Sequence, residues 1–294
     1  MVDTGSVKFA LRYPKVAAAQ VWKMRQEKQD PAYDPDGVYI HDEDWDIMII
    51  LDACRYDTFA EHSTLDGELA RKRSRGSTSE EWIRGNFSEE EHGDLVVVAT
   101  NPFYKDLAGE IDLKVHHFEW VEPDDYGKEL TDPDRVTERV LEMAEKYPNK
   151  RILAHYMQPH APYIGSVGEK VPFEREPLHQ AIVRGGVEQD VVRGAYRENL
   201  EIVQKSIRPI VSGEYGKVVI TADHGELLGE RILHSVPLTS YYGHPYGCDH
   251  EATRMVPWLE VPCETSDRRT VRDEEATGIH SEDVSDQLEA LGYL

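Results

Sequence analysis

Carboxylate and imidazole side chains follow three apolar runs of the sequence. "DIMIILD" ends at Asp52, "KVVITAD" ends at Asp223 with His224 next, and "RILAHYM" leads through "QPH" to His160. In open α/β sheets, ligands bind in the crevice beyond the carboxyl ends of parallel strands. If the three runs are neighbouring parallel strands, two carboxylates and two imidazoles therefore converge at one edge of the sheet.

Such a group of side chains is typical of a metal site. Carboxylates that lie close together repel one another, and a cation between them relieves this repulsion. Mixed aspartate and histidine ligands suit Zn²⁺ or Mn²⁺, whereas Mg²⁺ and Ca²⁺ prefer oxygen ligands alone. The segment "YYGHPYGCDH" adds His244 and His250. The alternative, in which each aspartate is a helix cap and each histidine an ordinary core or surface residue, must hold at several strand ends at once.

The apolar runs indicate the elements that position these residues. They are continuous rather than alternating, as is typical of strands that are covered on both faces. We predict an α/β fold in which a mostly parallel central sheet lies between layers of helices. The predicted strands are 46–52, 94–100, 151–157, 217–223 and 256–261.

Two helices are well marked between these strands. One is predicted over 133–147, with Asp132 as its N-cap and a proline in its first turn. A second is predicted over 189–207, where apolar residues recur at helical spacing. Segments 164–188 and 226–250 contain much glycine, proline and polar sequence, and we predict that both are long irregular loops.

The composition limits the class of protein. The formal net charge is -23, from 56 Asp and Glu against 33 Lys and Arg, and the acids are spread along the chain. A diffuse acidic surface argues against nucleic-acid binding, which needs a basic footprint, and is typical of proteins from halophiles. Three widely spaced cysteines indicate no disulfide framework. Because no apolar run approaches the roughly 20 residues of a membrane helix, we expect a cytoplasmic protein.

The N-terminal segment, residues 1–30, differs from the rest of the chain in charge. Residues 1–28 hold six Lys and Arg against two acids, with apolar residues between them. A basic amphipathic segment over 7–28 can make peripheral contact with an anionic membrane, while a helix packed on the domain is the simpler alternative. We predict a single catalytic domain over 31–294.

Four blocks of the sequence resemble motifs of the sulfatase and alkaline phosphatase-like superfamily, in the order typical of that family. The resemblance implies an alkaline phosphatase-like fold and metal-dependent cleavage or transfer of phosphate or sulfate esters. It implies one or two divalent ions, with Asp52, Asp223 and His224 as ligands of the first. It also implies that His244 and His160 contact a second metal or the substrate. The blocks are "ILDACRYDTF" (50–59), "MQPHAPY" (157–163), "TADHGE" (221–226) and "GHPYGCDHEATRMVPWL" (243–259).

The family keeps its nucleophile at a helix start between the first aspartate motif and the second strand. "RKRSRGSTSEEW" (71–82) occupies this position, and its "SEEW" is a good helix opening. The C/S-x-P-x-R motif of sulfatases is absent, whereas relatives that transfer phosphoethanolamine or phosphoglycerol use an unmodified threonine or serine. We therefore predict Thr78 as N-cap, metal ligand and nucleophile, with Ser77 and Ser79 as the alternatives, since coordination to a metal favours the alkoxide.

Basic side chains around this stretch have two interpretations. Arg55 follows Asp52 by three residues, so we predict that it lies close to the metal and acts in catalysis. Arg75 and the three cations before it either contact an anionic substrate or form a solvated basic turn. We also predict that His160 acts in catalysis and that His250 contacts the substrate.

These observations lead to one leading hypothesis about function and two alternatives. The leading hypothesis is metal-dependent hydrolysis or transfer of a phosphate ester, free or linked to a glycan or a lipid, through a covalent threonine intermediate. The first alternative is a sulfatase that acts on sulfate esters of glycans. The second is a metal-binding pseudoenzyme that recognises an anionic glycan or partner without turnover.

Overall fold

The computed structural model describes residues 33–124, 131–172, 177–231, 240–279 and Leu288. Most of its strands belong to one large sheet, and two form a separate hairpin. The strands are β1 (Ile47–Leu51), β2 (Glu68–Arg73), β3 (His92–Ala99), β4 (Lys114–Trp120), β5 (Arg151–Tyr156), β6 (Val218–Thr221), β7 (Leu227–Arg231), β8 (Ser240–Gly243), β9 (Met255–Glu260) and β10 (Thr277–Gly278).

The large sheet has eight strands in the order β10-β4-β3-β5-β1-β6-β9-β2. The five strands from β4 to β6 in this order are parallel to one another. Strand β9 runs antiparallel to both β6 and β2, and β10 runs antiparallel to β4. Strands β7 and β8 form the hairpin. The prediction of an α/β fold with a mostly parallel sheet is confirmed.

Helices cover both faces of this sheet. They are α1 (Tyr56–His62), α2 (Ser79–Phe87), α3 (Phe103–Ala108), α4 (Pro133–Lys146), α5 (Leu178–Gly185), α6 (Gln189–Ser206), α7 (Arg208–Val211) and α8 (Glu251–Arg254), with 3₁₀ turns at Ile40–Asp42, Gly168–Lys170 and Thr265–Asp267. Helices α4 and α6 contribute to the core on one face, and α2 and α3 contribute to the core on the other. No helix in the described ranges is both long and apolar enough to cross a membrane.

Strand β1 shows why the apolar runs are continuous. Ile47, Ile49 and Leu51 point into the core beneath α4 and α6, whereas Met48 and Ile50 point into the core beneath α2 and α3. Successive side chains of a strand point to opposite faces, so a strand covered on both faces must be apolar at every position. All five side chains are fully buried.

The two predicted helices match α4 and α6 closely. Asp132 is the N-cap of α4, where its side chain accepts a hydrogen bond from the backbone N of Asp134. The predicted long loops are partly wrong, because 164–188 contains α5 and 226–250 contains the β7–β8 hairpin, although 232–239 lies outside the described residues. The basic segment 1–30 also lies outside them, so its membrane contact and the domain division stay predictions.

Candidate metal centre

Two neighbouring parallel strands, β1 and β6, bring the first group of ligands together. Asp52 directly follows β1, and Asp223 and His224 follow β6. One candidate ligand atom from each of these three residues lies within 4.8 Å of the other two, and all three side chains are fully buried. We call Asp52, Asp223 and His224 the first ligand group.

Backbone hydrogen bonds orient the ligands that follow β6. Asp223 Oδ1 accepts hydrogen bonds from the backbone N of Ala53 (3.1 Å) and of His224 (2.8 Å). Ala53 has a φ of 58°, a left-handed conformation that is uncommon for residues other than glycine and often found at functional sites. The Nδ1 of His224 donates to the Gly225 carbonyl (2.9 Å), which leaves Nε2 to face the carboxylates, 3.3 Å from Asp223 Oδ2 and 3.7 Å from Asp52 Oδ1.

The hydroxyl beside the first ligand group belongs to Ser79. Its Oγ lies 2.7 Å from Asp223 Oδ2, 3.2 Å from Asp52 Oδ2 and 3.4 Å from His224 Nε2, and the side chain is fully buried. Ser79 is the first residue of α2, so it lies at the helix start where the family resemblance predicts a nucleophile. It was one of the two alternatives to Thr78.

Thr78 itself points elsewhere. It is the N-cap of α2, as predicted, and its hydroxyl accepts a hydrogen bond from the backbone N of Glu81 (3.2 Å). The Ser77 hydroxyl also binds Glu81, as well as the Pro245 carbonyl. Consecutive residues at a helix start point in directions about 100° apart, so only one of three adjacent hydroxyls faces the carboxylates. The predicted contact of Thr78 with the first ligand group is therefore replaced by that of Ser79.

Two further residues contact the first ligand group and were missed by the sequence analysis. Asn101 Nδ2 donates to Asp52 Oδ2 (2.8 Å) and to Ser79 Oγ (2.9 Å). Asn101 follows β3, so its place after a fourth parallel strand could have identified it. His155 lies within β5, with Nε2 3.4 Å from Asp52 Oδ2 and 3.6 Å from Asp223 Oδ2. The histidine within an otherwise apolar strand could have identified His155 from the sequence.

A second ligand group lies beside the first and consists of His160, Glu226 and His244. One candidate ligand atom from each lies within 4.8 Å of the other two. The Nε2 atoms of His160 and His244 are 2.9 Å apart, so one of them must carry a proton for the other to accept. The rings of His224 and His244 have centroids 4.3 Å apart and join the two groups.

Glu226 was not predicted as a site residue, although it belongs to the "TADHGE" block. It is fully buried, and neither of its carboxylate oxygens has a hydrogen-bond partner within the described ranges. A buried carboxylate without donors is costly unless it is protonated or bound to a cation. Its position in the "TADHGE" block was its signal in the sequence, and the sequence analysis did not use it.

The carboxyl groups of the site differ in how they ionise. Burial raises the pKa of Glu226 well above its ordinary value, and the negative charge of Asp52 adds to this effect. Burial acts in the same direction on Asp52, but the hydrogen bond from His155 and the charges of His160 and His224 hold its pKa below the ordinary value. Burial lowers the pKa of His160. Asp52 is therefore poised as an anion, whereas Glu226 needs a proton or a cation.

Arg55 contacts the hairpin and α1 rather than the first ligand group. Its guanidinium forms ion pairs with Asp57 (2.5 Å) and Glu230 (2.7 Å), and Nη1 donates to the Glu226 carbonyl (3.0 Å). Its described contacts therefore support the backbone that carries Glu226. A direct catalytic role for Arg55 stays a prediction.

Arg75 and His250 are held in structural contacts. Arg75 donates to the carbonyls of Gly37 (3.3 Å) and Gly85, and its guanidinium lies 4.4 Å from the centroid of the Tyr39 ring. His250 is the N-cap of α8, where Nδ1 accepts a hydrogen bond from the backbone N of Ala252 (3.0 Å). Neither belongs to the two ligand groups, and their contact with a substrate stays a prediction.

The other cations of the opening stretch lie on β2, which is an edge strand of the sheet rather than a turn. All three are engaged with acids, which agrees with the surface interpretation and contributes little to stability. The ion pairs join Arg71 to Glu251, Lys72 to Glu43, and Arg73 to Asp34 and Asp249.

The donors present fit a divalent cation. Asp52 Oδ1 and both oxygens of Glu226 are buried and have no hydrogen-bond partner among the described residues. Asp52, Asp223 and His224 could hold one ion beside the Ser79 hydroxyl, and His160, Glu226 and His244 could hold another. Mixed oxygen and nitrogen donors suit Zn²⁺ or Mn²⁺.

No protein-family model and no curated protein sequence matches this chain. Among solved structures, it is similar to the integral membrane lipooligosaccharide phosphoethanolamine transferase A of Neisseria meningitidis (TM-score 0.47, 13% identity, 83% of this chain and 54% of that one). It is also similar to BT1596, a 2-O GAG sulfatase (TM-score 0.44, 15% identity, 73% and 63%). A protein in the alkaline phosphatase superfamily from Vibrio parahaemolyticus is a third (TM-score 0.42, 11% identity, 78% and 62%). The chain thus spans about half to two thirds of the length of these three structures.

Proposed function

We propose that this protein is a metal-dependent enzyme that hydrolyses or transfers a phosphate ester group through a covalent intermediate on Ser79. The contacts of the Ser79 hydroxyl carry the proposal: Oγ lies 2.7 Å from Asp223 Oδ2 and 3.2 Å from Asp52 Oδ2 in a fully buried position. A hydroxyl that served only to begin α2 would not need two carboxylates and an imidazole around it. The N-cap role belongs to Thr78.

The surroundings of Ser79 suit nucleophilic attack on an anion. A free serine hydroxyl is a weak nucleophile and needs a neighbouring group that takes its proton. Asp223 Oδ2 accepts that proton along the existing hydrogen bond, while Asn101 Nδ2 donates to Oγ and fixes its direction. The start of α2 carries the positive end of the helix dipole, which favours a phosphate group at this position.

The proposed reaction has two displacement steps at phosphorus. In the first, Ser79 Oγ forms a bond to phosphorus, its proton moves to Asp223, and the bond to the leaving oxygen breaks. While the second ligand group holds no metal ion, the His160–His244 pair gives that oxygen a proton. In the second, water or an acceptor alcohol gives its proton to the same pair and attacks phosphorus, and Ser79 leaves and takes its proton back. A divalent metal bound by the first ligand group supplies positive charge for the phosphoryl oxygens and favours the ionised hydroxyl.

The residue at the nucleophile position favours phosphate over sulfate. Sulfatases of the family resembled here carry a modified Cys or Ser in a C/S-x-P-x-R motif, and Ser79 is followed instead by "EEW". Cys54 is buried, and its thiol contacts the Arg55 carbonyl (3.9 Å) rather than the first ligand group. An anionic phosphate ester, free or linked to a glycan or a lipid, is therefore the proposed substrate class.

The test compares Ser79→Ala with Thr78→Ala on aryl phosphate monoesters, phosphate diesters and sulfate esters, each with added Zn²⁺ or Mn²⁺. We expect Ser79→Ala to lower turnover of the preferred phosphate ester by about 1000-fold or more, because the attacking atom is removed. Thr78→Ala should keep turnover within about threefold and lower the free energy of unfolding by about 1 kcal/mol, the usual effect of losing an N-cap.

A second measurement follows the covalent intermediate directly. The intact mass of acid-quenched enzyme should increase by one substituted phosphoryl group, located on the peptide that contains Ser79. Full turnover by Ser79→Ala, or a phosphoryl group on Thr78, would contradict the assignment. Preference for sulfate esters would favour the sulfatase alternative, and metal binding without any turnover would favour the pseudoenzyme.

A further inference from the structure

One buried carboxylate outside both ligand groups joins the two sides of the site. Glu81 lies in the first turn of α2 and is 2% exposed. Its Oε2 accepts hydrogen bonds from the backbone N and from the hydroxyl of Ser77, both at 2.5 Å. Its Oε1 accepts a hydrogen bond from the backbone N of Gly247 (3.0 Å), which is distant in the sequence. The same carboxylate therefore binds the start of α2 and the loop after β8.

Ser77 strengthens this connection from the other side. Its Oγ accepts a hydrogen bond from the backbone N of Cys248 (3.0 Å). Arg254 donates through Nε to the Cys248 carbonyl (3.0 Å), and its guanidinium lies 3.6 Å from Glu81 Oε1. The backbone of 247–248 is thus held against α2 by two side chains, Ser77 and Glu81, that are almost wholly buried.

This arrangement differs from an ordinary helix N-terminus. In a capping box, the glutamate at the third helical position reaches back only to the start of its own helix. Here one carboxylate oxygen accepts hydrogen bonds at the start of α2. The other accepts a hydrogen bond from the loop that follows β8 and contains His244. Hydrogen bonds to a charged acceptor are roughly twice as strong as neutral ones, and burial strengthens them further.

We propose that Glu81 is a positioning residue that sets the distance between the Ser79 hydroxyl and the His244 imidazole. The inference rests on the function proposed above for these two residues. Ser79 is two residues before Glu81 in α2, and His244 is three residues before Gly247 in the loop. In the proposed reaction the Ser79 hydroxyl attacks phosphorus, and His244 belongs to the pair that protonates the leaving oxygen. A misplacement of about 1 Å between such groups can lower a rate about 100-fold.

The experiment compares Glu81→Gln with Glu80→Gln. Both variants remove one negative charge from the first turn of α2, so both change the helix dipole interaction equally. Glu81 accepts a hydrogen bond from the loop backbone, whereas Glu80 forms an ion pair with Arg84 (3.1 Å) on its own helix. We expect kcat of Glu81→Gln to fall about 30-fold or more with KM within about threefold, and Glu80→Gln to keep both values within about threefold.

Hydrogen exchange at the backbone amides of Gly247 and Cys248 gives a readout that is independent of activity. We expect both amides to be protected in the wild type and in Glu80→Gln, and to exchange at least about tenfold faster in Glu81→Gln. Ser77→Ala is the milder variant in case Glu81→Gln does not fold. It should speed exchange at Cys248 and lower kcat by about three- to tenfold.

The possible failures are distinguishable. Unchanged exchange at Gly247 and Cys248 in the Glu81 and Ser77 variants overturns the proposed connection. Faster exchange without a loss of kcat, or an equal loss in Glu80→Gln, overturns the positioning role and leaves Glu81 as a structural residue. Absence of metal-dependent turnover in the wild type overturns the proposed function instead, and the exchange measurement still decides whether Glu81 holds the loop.

Discussion

Histidines lie at both ends of the parallel strands of the central sheet, which we call its carboxyl edge and its amino edge. At the carboxyl edge, His224 lies 3.3 Å from Asp223 Oδ2 and 3.7 Å from Asp52 Oδ1. At the amino edge, where β3 begins, His41 and His92 stack with ring centroids 3.7 Å apart and an interplanar angle of 10°. The same side chain is thus surrounded by anions at one edge and packed against another imidazole at the other.

The neighbouring charges decide what each edge can bind. At the amino edge, Arg151 Nη2 lies 3.5 Å from His41 Nδ1 and the same guanidinium forms an ion pair with Asp94. Burial lowers the pKa of His41 and of His92, and the positive charge of Arg151 acts in the same direction. A cation is therefore disfavoured there, whereas the carboxylates of the first ligand group favour one. Buried histidines indicate a metal site only when anions accompany them.

The largest expected effect comes from the carboxyl edge. Asp223→Asn should lower turnover about 1000-fold or more and abolish tight metal binding, because a metal supplies several kcal/mol of transition-state stabilisation. Removal of metal with a chelator should produce the same loss, and Zn²⁺ or Mn²⁺ should restore turnover of the wild type alone. Metal content measured by elemental analysis provides the check. A variant that binds metal as the wild type does would show that the first ligand group is misassigned.

An intermediate effect is expected from Glu226, a member of the second ligand group. Glu226→Gln should lower turnover by about 10- to 100-fold, the range seen when a neighbour of a metal-site histidine is changed. In metal-free protein it should leave the free energy of unfolding unchanged or raise it, because the buried carboxylate has no described donors. Asp223→Asn should instead lower that free energy by about 1 kcal/mol, since the amide oxygen accepts the two backbone hydrogen bonds of Asp223 without the charge that strengthens them. Urea unfolding in the presence of a chelator measures both values.

The smallest effect concerns the amino edge and appears only as a change with pH. The pKa of His92 and of His41 is lowered in the folded state, so the unfolded chain binds more protons and stability is lost as the pH falls through about 6.5. Between pH 7.5 and 5.5 the wild type should lose about 1 kcal/mol more than His92→Phe, which keeps a stacked ring beside His41. Turnover at pH 7.5 should be the same in both proteins. Equal pH dependence of unfolding would contradict the environment described for this pair.

Strand ends carried most of what could be predicted about the site. Asp52, Asp223 and His224 follow continuous apolar runs, and such runs fix where buried parallel strands end. Ser79 could not be separated from Thr78, because adjacent residues at a helix start differ only in direction, and that direction depends on where the helix packs. His155 was missed because it interrupts an apolar run that is otherwise read as core.

The parts of the fold that escaped prediction share polar patterns. Strand β4, "KVHHFEW", and strand β2, "ELARKR", contain no continuous apolar run. Strand β2 lies at one edge of the sheet, and within the described residues β4 has only the two-residue β10 on its outer side. Edge strands need not be apolar on both faces, so their sequences resemble those of loops. The β7–β8 hairpin was not predicted because the segment 226–250 is rich in glycine, proline and polar residues.

The charged edge strand β2 has a consequence for the association of the protein with itself. An exposed edge strand presents unpaired N–H and carbonyl groups that can pair with a strand of another molecule. Arg71, Lys72 and Arg73 lie along this edge, and their ion pairs hold bulky side chains beside the strand. A second copy would have to displace these pairs and bring like charges together before its backbone could dock. We therefore expect the run of cations in an otherwise acidic chain to disfavour strand pairing between two copies at this edge.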